Sequence, residues 1–179
     1  TLFRSVCWAD AGKDAYLFRK VDYQQGLSNS AVLCLYQDKA GLMWFGTYDG
    51  VNCYDGKGIE VFRSDFSMKK TLSNNVIHSI QQADSSCLWI TTHLGVNRFS
   101  QDSRQVVGYY DFTGDYYLHS NPKGDTWVVS NEGIFYYNTY HKKFVHLKNI
   151  ETPVENMDHR AFVTDDGVLW TFPRNTGSL

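Results

Sequence analysis

The sequence predicts an all-β protein built from repeated four-stranded units. Tryptophan recurs at intervals of 45, 38 and 43 residues, at Trp44, Trp89, Trp127 and Trp170. A glycine lies six residues after each of the first three tryptophans, at Gly50, Gly95 and Gly133, and seven residues after the fourth. No segment shows the 3.6-residue apolar period of an amphipathic helix. Because four-stranded repeats of about 40–45 residues are typical of propeller blades, the predicted fold is an incomplete β-propeller.

The first repeat shows how each unit divides into strands. Residues 31–36 and 42–47 are short apolar runs, and residues 51–54 and 59–63 follow them as a third and a fourth strand. The turns between them are rich in Asp and Gly, which are residue types of tight hairpins. A glycine is expected at positive φ between the second and third strands. The flat indole ring on each second strand is predicted to fill the gap between adjacent blades.

The same plan predicts a partial propeller over residues 12–179. We expect blades at about 27–66, 67–113 and 114–150, and a truncated blade at 156–179. The strand at 16–21 resembles the fourth strand of a blade and is predicted to close the last blade of a longer parent protein. Ala9-Asp10-Ala11 has the form of a signal-peptidase site, so residues 1–11 are predicted to be the remnant of a signal peptide.

Bulk properties exclude several kinds of partner. The formal net charge is −2 and no basic stripe is present, so a nucleic-acid partner is not expected. No apolar run reaches the roughly 18 residues of a membrane-spanning helix. Cys34 and Cys53 would lie two strands apart in one sheet, beyond the reach of a disulfide bond. We therefore expect buried free thiols.

The chain lacks the motifs of common catalytic and cofactor sites. No P-loop, nucleophile elbow or dinucleotide fingerprint occurs, and no Cys/His spacing suits zinc. The six histidines are scattered. The acidic pair Asp165-Asp166 lies at a turn, and turn chemistry accounts for it. We expect no catalytic residue, no metal and no cofactor in this chain.

The remaining candidate is a ligand-binding face. Turns between the second and third strands share one end of a propeller with the loops leading into the first strands. The turn residues, which vary between repeats, are Tyr48, Asp49, His93, Leu94, Asn131, Glu132, Arg174 and Asn175, and the loops add Ser28, Asn29, Ser73 and Asn74. Aromatic rings stack on the CH surfaces of sugars, while carboxylates and amides pair with hydroxyl groups. For each single residue, a solvated turn without a ligand is the alternative.

One ordered combination of motifs resembles a known family. Gly26-Leu27-Ser28-Asn29 is followed by Tyr36-Gln37-Asp38, by Leu42-Met43-Trp44-Phe45-Gly46-Thr47 and by Asp49-Gly50-Val51-Asn52. This order is similar to the two-component regulator propeller repeat. The resemblance extends from residue 16 to about residue 177. It is weaker in the third repeat, which reads Trp127-Val128-Val129-Ser130, and in the fourth, which has Pro173 where the first has Thr47.

That resemblance implies the periplasmic sensor region of a hybrid two-component histidine kinase of the type common in Bacteroidetes. Members of this family respond to carbohydrates, often oligosaccharides, and carry further blades, a transmembrane helix and signalling domains. The implied partners are an oligosaccharide ligand, the remaining blades and signalling domains of the parent chain, and a second copy in a homodimer formed through the parent. The fragment itself is expected to be non-catalytic.

Two other functions stay open at the level of sequence. A secreted propeller enzyme, such as a lyase or lactonase, would place a His and Glu acid–base set near the propeller axis. A scaffold propeller would present the same turns to protein partners. The combination of the Leu-Ser-Asn, Trp-Phe-Gly-Thr and Asp-Gly-Val-Asn motifs favours the sensor.

Overall fold

The computed structural model describes residues 4–7, 17–130, 132–147 and 157–173. A two-stranded sheet comes first, made of β1 (Arg4–Cys7) and β2 (Leu17–Lys20). The first four-stranded sheet contains β3 (Val32–Gln37), β4 (Met43–Thr47), β5 (Gly50–Tyr54) and β6 (Ile59–Phe62). The second contains β7 (Ile77–Gln82), β8 (Cys87–Thr92), β9 (Gly95–Ser100) and β10 (Gln105–Tyr110). The third contains β11 (Tyr116–Ser120), β12 (Thr126–Ser130), β13 (Gly133–Asn138) and β14 (Lys143–His146), and the fourth contains β15 (Met157–Val163) and β16 (Leu169–Pro173).

These sheets confirm the all-β prediction. Within each sheet every strand pairs antiparallel with the next strand along the chain, as tight hairpins require. The described residues outside strands include one 3-10 turn at Tyr23–Gln25. Residues of β8 are buried throughout, as expected for a strand covered on both faces. Within the described ranges, no helix is long and apolar enough to cross a bilayer.

The sheets stack face to face in chain order, as successive propeller blades do. Each junction between two sheets holds its own apolar core, and the first strands β3, β7, β11 and β15 adjoin one another along one side. The cores contain Trp44, Ile80 and Phe99 at the first junction, Trp89, Leu118 and Val128 at the second, and Val129, Ile134 and Leu169 at the third. The architecture is that of an incomplete β-propeller, and the described sheets do not close into a ring.

The repeated tryptophans occupy one register position. In the first three sheets the tryptophan lies three residues before the last residue of the second strand. That last residue pairs with a glycine that begins the third strand, and the pairs are Thr47 with Gly50, Thr92 with Gly95 and Ser130 with Gly133. The three glycines have φ values of 100°, 133° and 146°, which are unfavourable for residues with a side chain. Trp44 and Trp89 are fully buried against the following sheet, and Trp127 is half-buried against the fourth.

Trp170 differs from the other three tryptophans. It holds the same position on β16, but its side chain is 59% exposed. The burial between blades that its position predicts is therefore not found. The reason is geometric, because Trp170 points away from the third sheet, and no described residue packs on that face of the fourth sheet.

The strand predicted at 16–21 is present as β2, which pairs with β1. β1 itself lies within the segment predicted to be a signal-peptide remnant. The closure of a later blade by residues 16–21 and the signal-peptide origin of residues 1–11 both stay predictions.

The cysteines of the first two four-stranded sheets are unpaired thiols. Cys53 and Cys87 are buried and Cys34 is half-buried, and all three are free. Burial raises the pKa of the Cys34 thiol to about 11. At neutral pH it is therefore protonated and unreactive, and acts as a small apolar side chain.

Candidate ligand-binding face

The turns between second and third strands meet loops that enter the first strand of the same sheet or of the next sheet. The backbone N–H of Gly50, in the first sheet, donates to the carbonyl oxygen of Asn75 at 2.8 Å, and that of His93 donates to Val76 at 3.1 Å. The Tyr116 hydroxyl donates to the carbonyl oxygen of Thr92. We call this end of the sheets the turn face. The predicted clustering of these turns with the entry loops is therefore present in the first and second sheets.

In each of the first three sheets, a hydroxyl at the end of the second strand holds the turn that follows. Thr47 Oγ1 accepts a bond from the backbone N–H of Asp49 at 2.9 Å and donates to the carbonyl oxygen of Gly50 at 3.0 Å. Thr92 and Ser130 hold their turns through the equivalent pairs of bonds. Because these bonds use only the hydroxyl and the backbone, they leave both turn side chains free to vary.

A buried asparagine ties the entry loop to the same turn. Asn52 is fully buried, its Oδ1 accepts from the backbone N–H of Ser28, and its Nδ2 donates to Ser28 Oγ, both at 2.8 Å. Ser28 Oγ lies 3.0 Å from Thr47 Oγ1. Asn97, Ser73 and Thr92 form the same arrangement in the second sheet. We call each set of three residues a Ser-Thr-Asn clamp.

The clamp changes the interpretation of the entry-loop residues. Ser28 and Ser73 lie on the turn face, but their polar atoms are used within the clamp. Asn29 and Asn74 accept from the backbone N–H of Ala31 and Val76 at 2.8 Å. These four side chains therefore shape the face. The sequence analysis did not single out Asn52 or Asn97, although their shared place in the Gly-Val-Asn motif was the available signal.

The first turn combines an exposed aromatic ring with a carboxylate. Tyr48 is 54% exposed on the turn face. Asp49 Oδ2 accepts from Arg63 Nη2 at 2.9 Å and from Arg63 Nε at 3.1 Å. The ion pair orients the carboxylate without burying it. Oδ1 of Asp49 has no hydrogen-bond donor among the described residues, so it can accept from a ligand hydroxyl.

The second turn brings two histidines together. The His93 ring lies 6.0 Å from the ring of His78, which stands on β7, and both residues are exposed. Partial desolvation of its ring lowers the pKa of His78 below its usual value of 6.5, and the neighbouring His93 adds to the shift while Asp115 opposes it. The neutral imidazole of His78, which can both donate and accept a hydrogen bond, is therefore favoured near pH 6.5.

An NMR titration tests this arrangement. We expect the His78 ring to titrate with a midpoint below 6.5 and to shift upward in His93→Gln, because that change removes a neighbouring positive charge. Since the folded pKa lies below the unfolded one, this group stabilises the fold above pH 6.5, and its contribution declines as the pH falls towards the folded pKa. His141→Gln, on a distant exposed hairpin, is the control. A His78 midpoint above 6.5, or one that does not respond to His93→Gln, would contradict the arrangement.

A groove that the sequence did not reveal lies beside the turn face. It has a volume of about 480 Å³ and is lined by Lys70, Thr71, Ser73, Val107 and Tyr109, among others. It forms because the loop before β7 crosses the outer strand β10, where the backbone N–H of Val106 donates to the carbonyl oxygen of Lys70 at 2.9 Å. Tyr109, which is half exposed, donates its hydroxyl to the carbonyl oxygen of Leu94 at 2.6 Å. This bond joins the groove to the second turn.

The remaining predicted residues contribute less to the face. Glu132 is exposed in the third turn, where its backbone N–H donates to Ser130 Oγ at 3.1 Å. Asn131 and Arg174 lie outside the described residues. Across the described ranges, no three His, Cys, Asp or Glu side chains converge in a set that could hold a metal ion.

The stretch from the first entry loop to the first turn is the part of the chain that matches a known protein family. Residues 26–49 match the sequence model of the two component regulator propeller. The chain contains a two-component regulator propeller repeat. The matched residues include β3, β4 and the Tyr48-Asp49 turn.

The proteins that this chain is similar to are larger than it is. Over 50 residues it is 38% identical to histidine kinase P4 of Formosa agariphila. The aligned residues make up 28% of this chain and 4% of that protein. A crystal structure described as the extracellular domain of a hybrid two component system from B. thetaiotaomicron is 26% identical, with a TM-score of 0.64 over 74% of this chain and 20% of that chain. The chain therefore spans a fifth or less of the length of these two relatives.

A lyase shares the fold. The structure of catalytically inactive virginiamycin B lyase from Staphylococcus aureus, determined with quinupristin, is 15% identical, with a TM-score of 0.61 over 99% of this chain and 75% of that chain. At this identity the likeness shows the fold alone.

Proposed function

We propose that this chain is part of the ligand-sensing ectodomain of a two-component regulator, located in the periplasm and responsive to oligosaccharides. The repeat match at residues 26–49 is the observation that carries the proposal. Two similarities support it, one to a histidine kinase and one to the extracellular domain of a hybrid two component system. The chain itself is proposed to bind and not to catalyse.

The turn face supplies the chemistry for a sugar ligand. The Tyr48 ring can stack on the CH surface of a sugar, and Asp49 Oδ1 can accept from a hydroxyl. The groove between Lys70 and Tyr109 lies beside the same face. Because the Ser-Thr-Asn clamps fix the turns before a ligand arrives, little conformational freedom is lost on binding.

The signal itself would be passed on by other parts of the parent protein. We propose that the remaining blades and the signalling domains of the parent are the partners of this chain, with a homodimer formed through the parent. The exposed face of the fourth sheet, which includes Phe162 and Trp170, is consistent with packing against a further blade.

Calorimetry tests the oligosaccharide proposal directly. The probes are cello-, xylo-, manno- and malto-oligosaccharides, titrated into the chain at constant buffer composition. We expect one of them to bind, and we expect Tyr48→Ala to weaken that binding by about tenfold, because a stacked aromatic ring contributes about 1–1.5 kcal/mol. Tyr140→Ala is the matched control, since Tyr140 is 87% exposed on a hairpin at the opposite end of the third sheet.

Two outcomes would count against the proposal. If none of the probes produces heat of binding, the proposal that this chain binds these oligosaccharides is wrong. If Tyr48→Ala and Tyr140→Ala weaken binding equally, the proposal that the turn face is the binding site is wrong. Because Tyr48 is more than half exposed, its replacement should leave the unfolding midpoint of the chain unchanged.

A further inference from the structure

One residue is inserted into the first strand of the first sheet, and one into the first strand of the second sheet. The pairing register of β3 with β4 shifts between Val32 and Cys34, so Leu33 is the extra residue. The register of β7 with β8 shifts in the same way at His78, which lies 45 residues after Leu33 and therefore at the same place in its repeat. Such β-bulges re-aim the side chain of a strand and are over-represented beside functional sites. We call Leu33 and His78 the bulge residues.

The fold does not require this insertion. In the third sheet, β11 pairs with β12 in unbroken register from Tyr116 to Ser120. The fourth sheet has a larger shift, between Asp158 and Ala161. Because the third sheet forms without a bulge in its first strand, the bulges of the first and second sheets have a reason beyond the architecture.

The bulge residues are exposed, although the residues beside them belong to a core. Leu33 is 41% exposed, whereas Cys34 packs on the apolar core of the first junction. His78 is exposed, whereas Ile77 is fully buried in the same core. Each bulge therefore leaves one side chain outside the core, where a ligand can reach it.

The bulges lie at the turn-face end of the first strands. In both sheets the residue before the bulge pairs with the threonine that precedes the turn, which brings Leu33 close to Tyr48 and His78 close to His93. The ring centroids of His78 and His93 are 6.0 Å apart. Asp115, which precedes β11, also acts electrostatically on His78. The bulge residues therefore extend the turn face from the turns to the first strands.

The two resulting pairs of residues differ in chemistry. Leu33 and the ring of Tyr48 are both partly exposed, and together they offer apolar surface to the CH face of a sugar. His78 and His93 offer ring nitrogens, which donate to and accept from hydroxyl groups. Because β3 adjoins β7, the apolar pair and the histidine pair stand on neighbouring sheets of one face. A sugar ring has a CH face and a rim of hydroxyls, and it matches this combination.

The charges beside the two pairs favour a neutral sugar over an acidic one. Asp49 follows Tyr48 in the first turn, and its charge is offset by the ion pair with Arg63. Asp115 lies near His78 and brings a negative charge to the histidine pair. A carboxylate at this position repels a uronic acid, whereas a neutral sugar avoids the repulsion.

We propose that the bulge residues are ligand contacts, so that Leu33 and Tyr48 hold the CH face of a neutral sugar unit while His78 and His93 pair with its hydroxyls. This inference rests on the proposed function, and it specifies the inner part of the site and the class of sugar. Because the bulge residue is leucine in one sheet and histidine in the next, these two positions then select which sugar unit is accepted.

Calorimetry on the whole chain tests this inference, with the same panel of neutral oligosaccharides. We expect Leu33→Ala to weaken binding about fivefold, because it removes apolar contact area. We expect His78→Ala to weaken it about tenfold, because a ligand hydroxyl loses its hydrogen-bond partner. Val168→Ala and His141→Ala are the matched controls, since both residues are exposed on hairpins at the end opposite the turn face, and both variants should bind as the wild type does.

A second readout does not depend on the variants. In the wild type, the NMR resonances of the His78 ring should shift on titration with the oligosaccharide that binds, while those of His141 should stay in place. Resonances of His78 that are unchanged at saturation would overturn the inference, and this measurement decides the question if a variant does not fold.

The failure of this inference can be told apart from the failure of the proposed function. Wild-type affinity in Leu33→Ala or in His78→Ala, together with weaker binding in Tyr48→Ala, would overturn the inference alone. The absence of binding for every probe, with oligogalacturonate included, would overturn both. Tighter binding of oligogalacturonate than of any neutral probe would overturn the assignment to neutral sugars.

Discussion

Replacing Trp44 with alanine should destabilise the chain by about 3–5 kcal/mol. The Trp44 side chain is fully buried at the first junction, with the Phe62 ring centroid at 6.1 Å and the Phe99 ring centroid at 5.8 Å. Its Nε1–H also donates to Asp38 Oδ2 at 2.8 Å. The change would leave a cavity between two sheets and remove one donor from a buried carboxylate.

Trp170→Ala is the matched control for this experiment. Trp170 occupies the same register position on its own sheet but is 59% exposed. We expect its replacement to cost less than about 1 kcal/mol, because exposed positions tolerate truncation. Urea unfolding followed by near-ultraviolet circular dichroism gives both values. Similar losses for the two variants would show that Trp44 does not act as a core residue between blades.

Gly50→Ala should be the second most disruptive change, at about 3 kcal/mol. Gly50 has a φ of 100°, and a Cβ atom there would collide with the carbonyl oxygen of Phe62 in the strand that pairs with β5. Because the obstructing atom belongs to the backbone, a rotamer change cannot relieve the contact. The turn would have to move, which would also weaken the bond from Gly50 N–H to Asn75.

Gly41→Ala separates the two causes of this loss. Gly41 has a similar φ of 87°, but a Cβ atom there would meet nothing within 4 Å. It should cost about 1 kcal/mol, from the backbone conformation alone. The difference between the two variants in the free energy of unfolding therefore measures the collision. A difference of zero would mean that the β4–β5 turn can shift without loss.

The repeat made the fold predictable from the sequence. Trp44 and Gly50, with their copies in the later repeats, mark the second strand and the turn after it, and the interval between copies is the length of a blade. Strand positions followed from short apolar runs bounded by Asp and Gly. These signals depend only on residues close together in the sequence, and each of them recurs in several repeats, which makes it easier to recognise.

The site was less predictable, because its geometry depends on contacts between distant residues. Tyr48 and Asp49 could be placed on one face from the turn pattern, but the ion pair of Asp49 with Arg63 could not. The groove exists because the loop near Lys70 crosses β10. The bond from Gln101 Nε2 to Asp38 Oδ2, at 2.8 Å, joins residues of different sheets that no local pattern connects.

The Ser-Thr-Asn clamps also have a consequence for how such a face can evolve. Each clamp fixes the start and the end of a turn through buried or backbone atoms, and the two side chains between those ends take no part in it. Tyr48-Asp49 in one sheet and His93-Leu94 in the next show that very different pairs fit the same frame. Exchanging two residues at a time therefore changes the side chains that the turn face presents, while the clamp that holds the turn is kept.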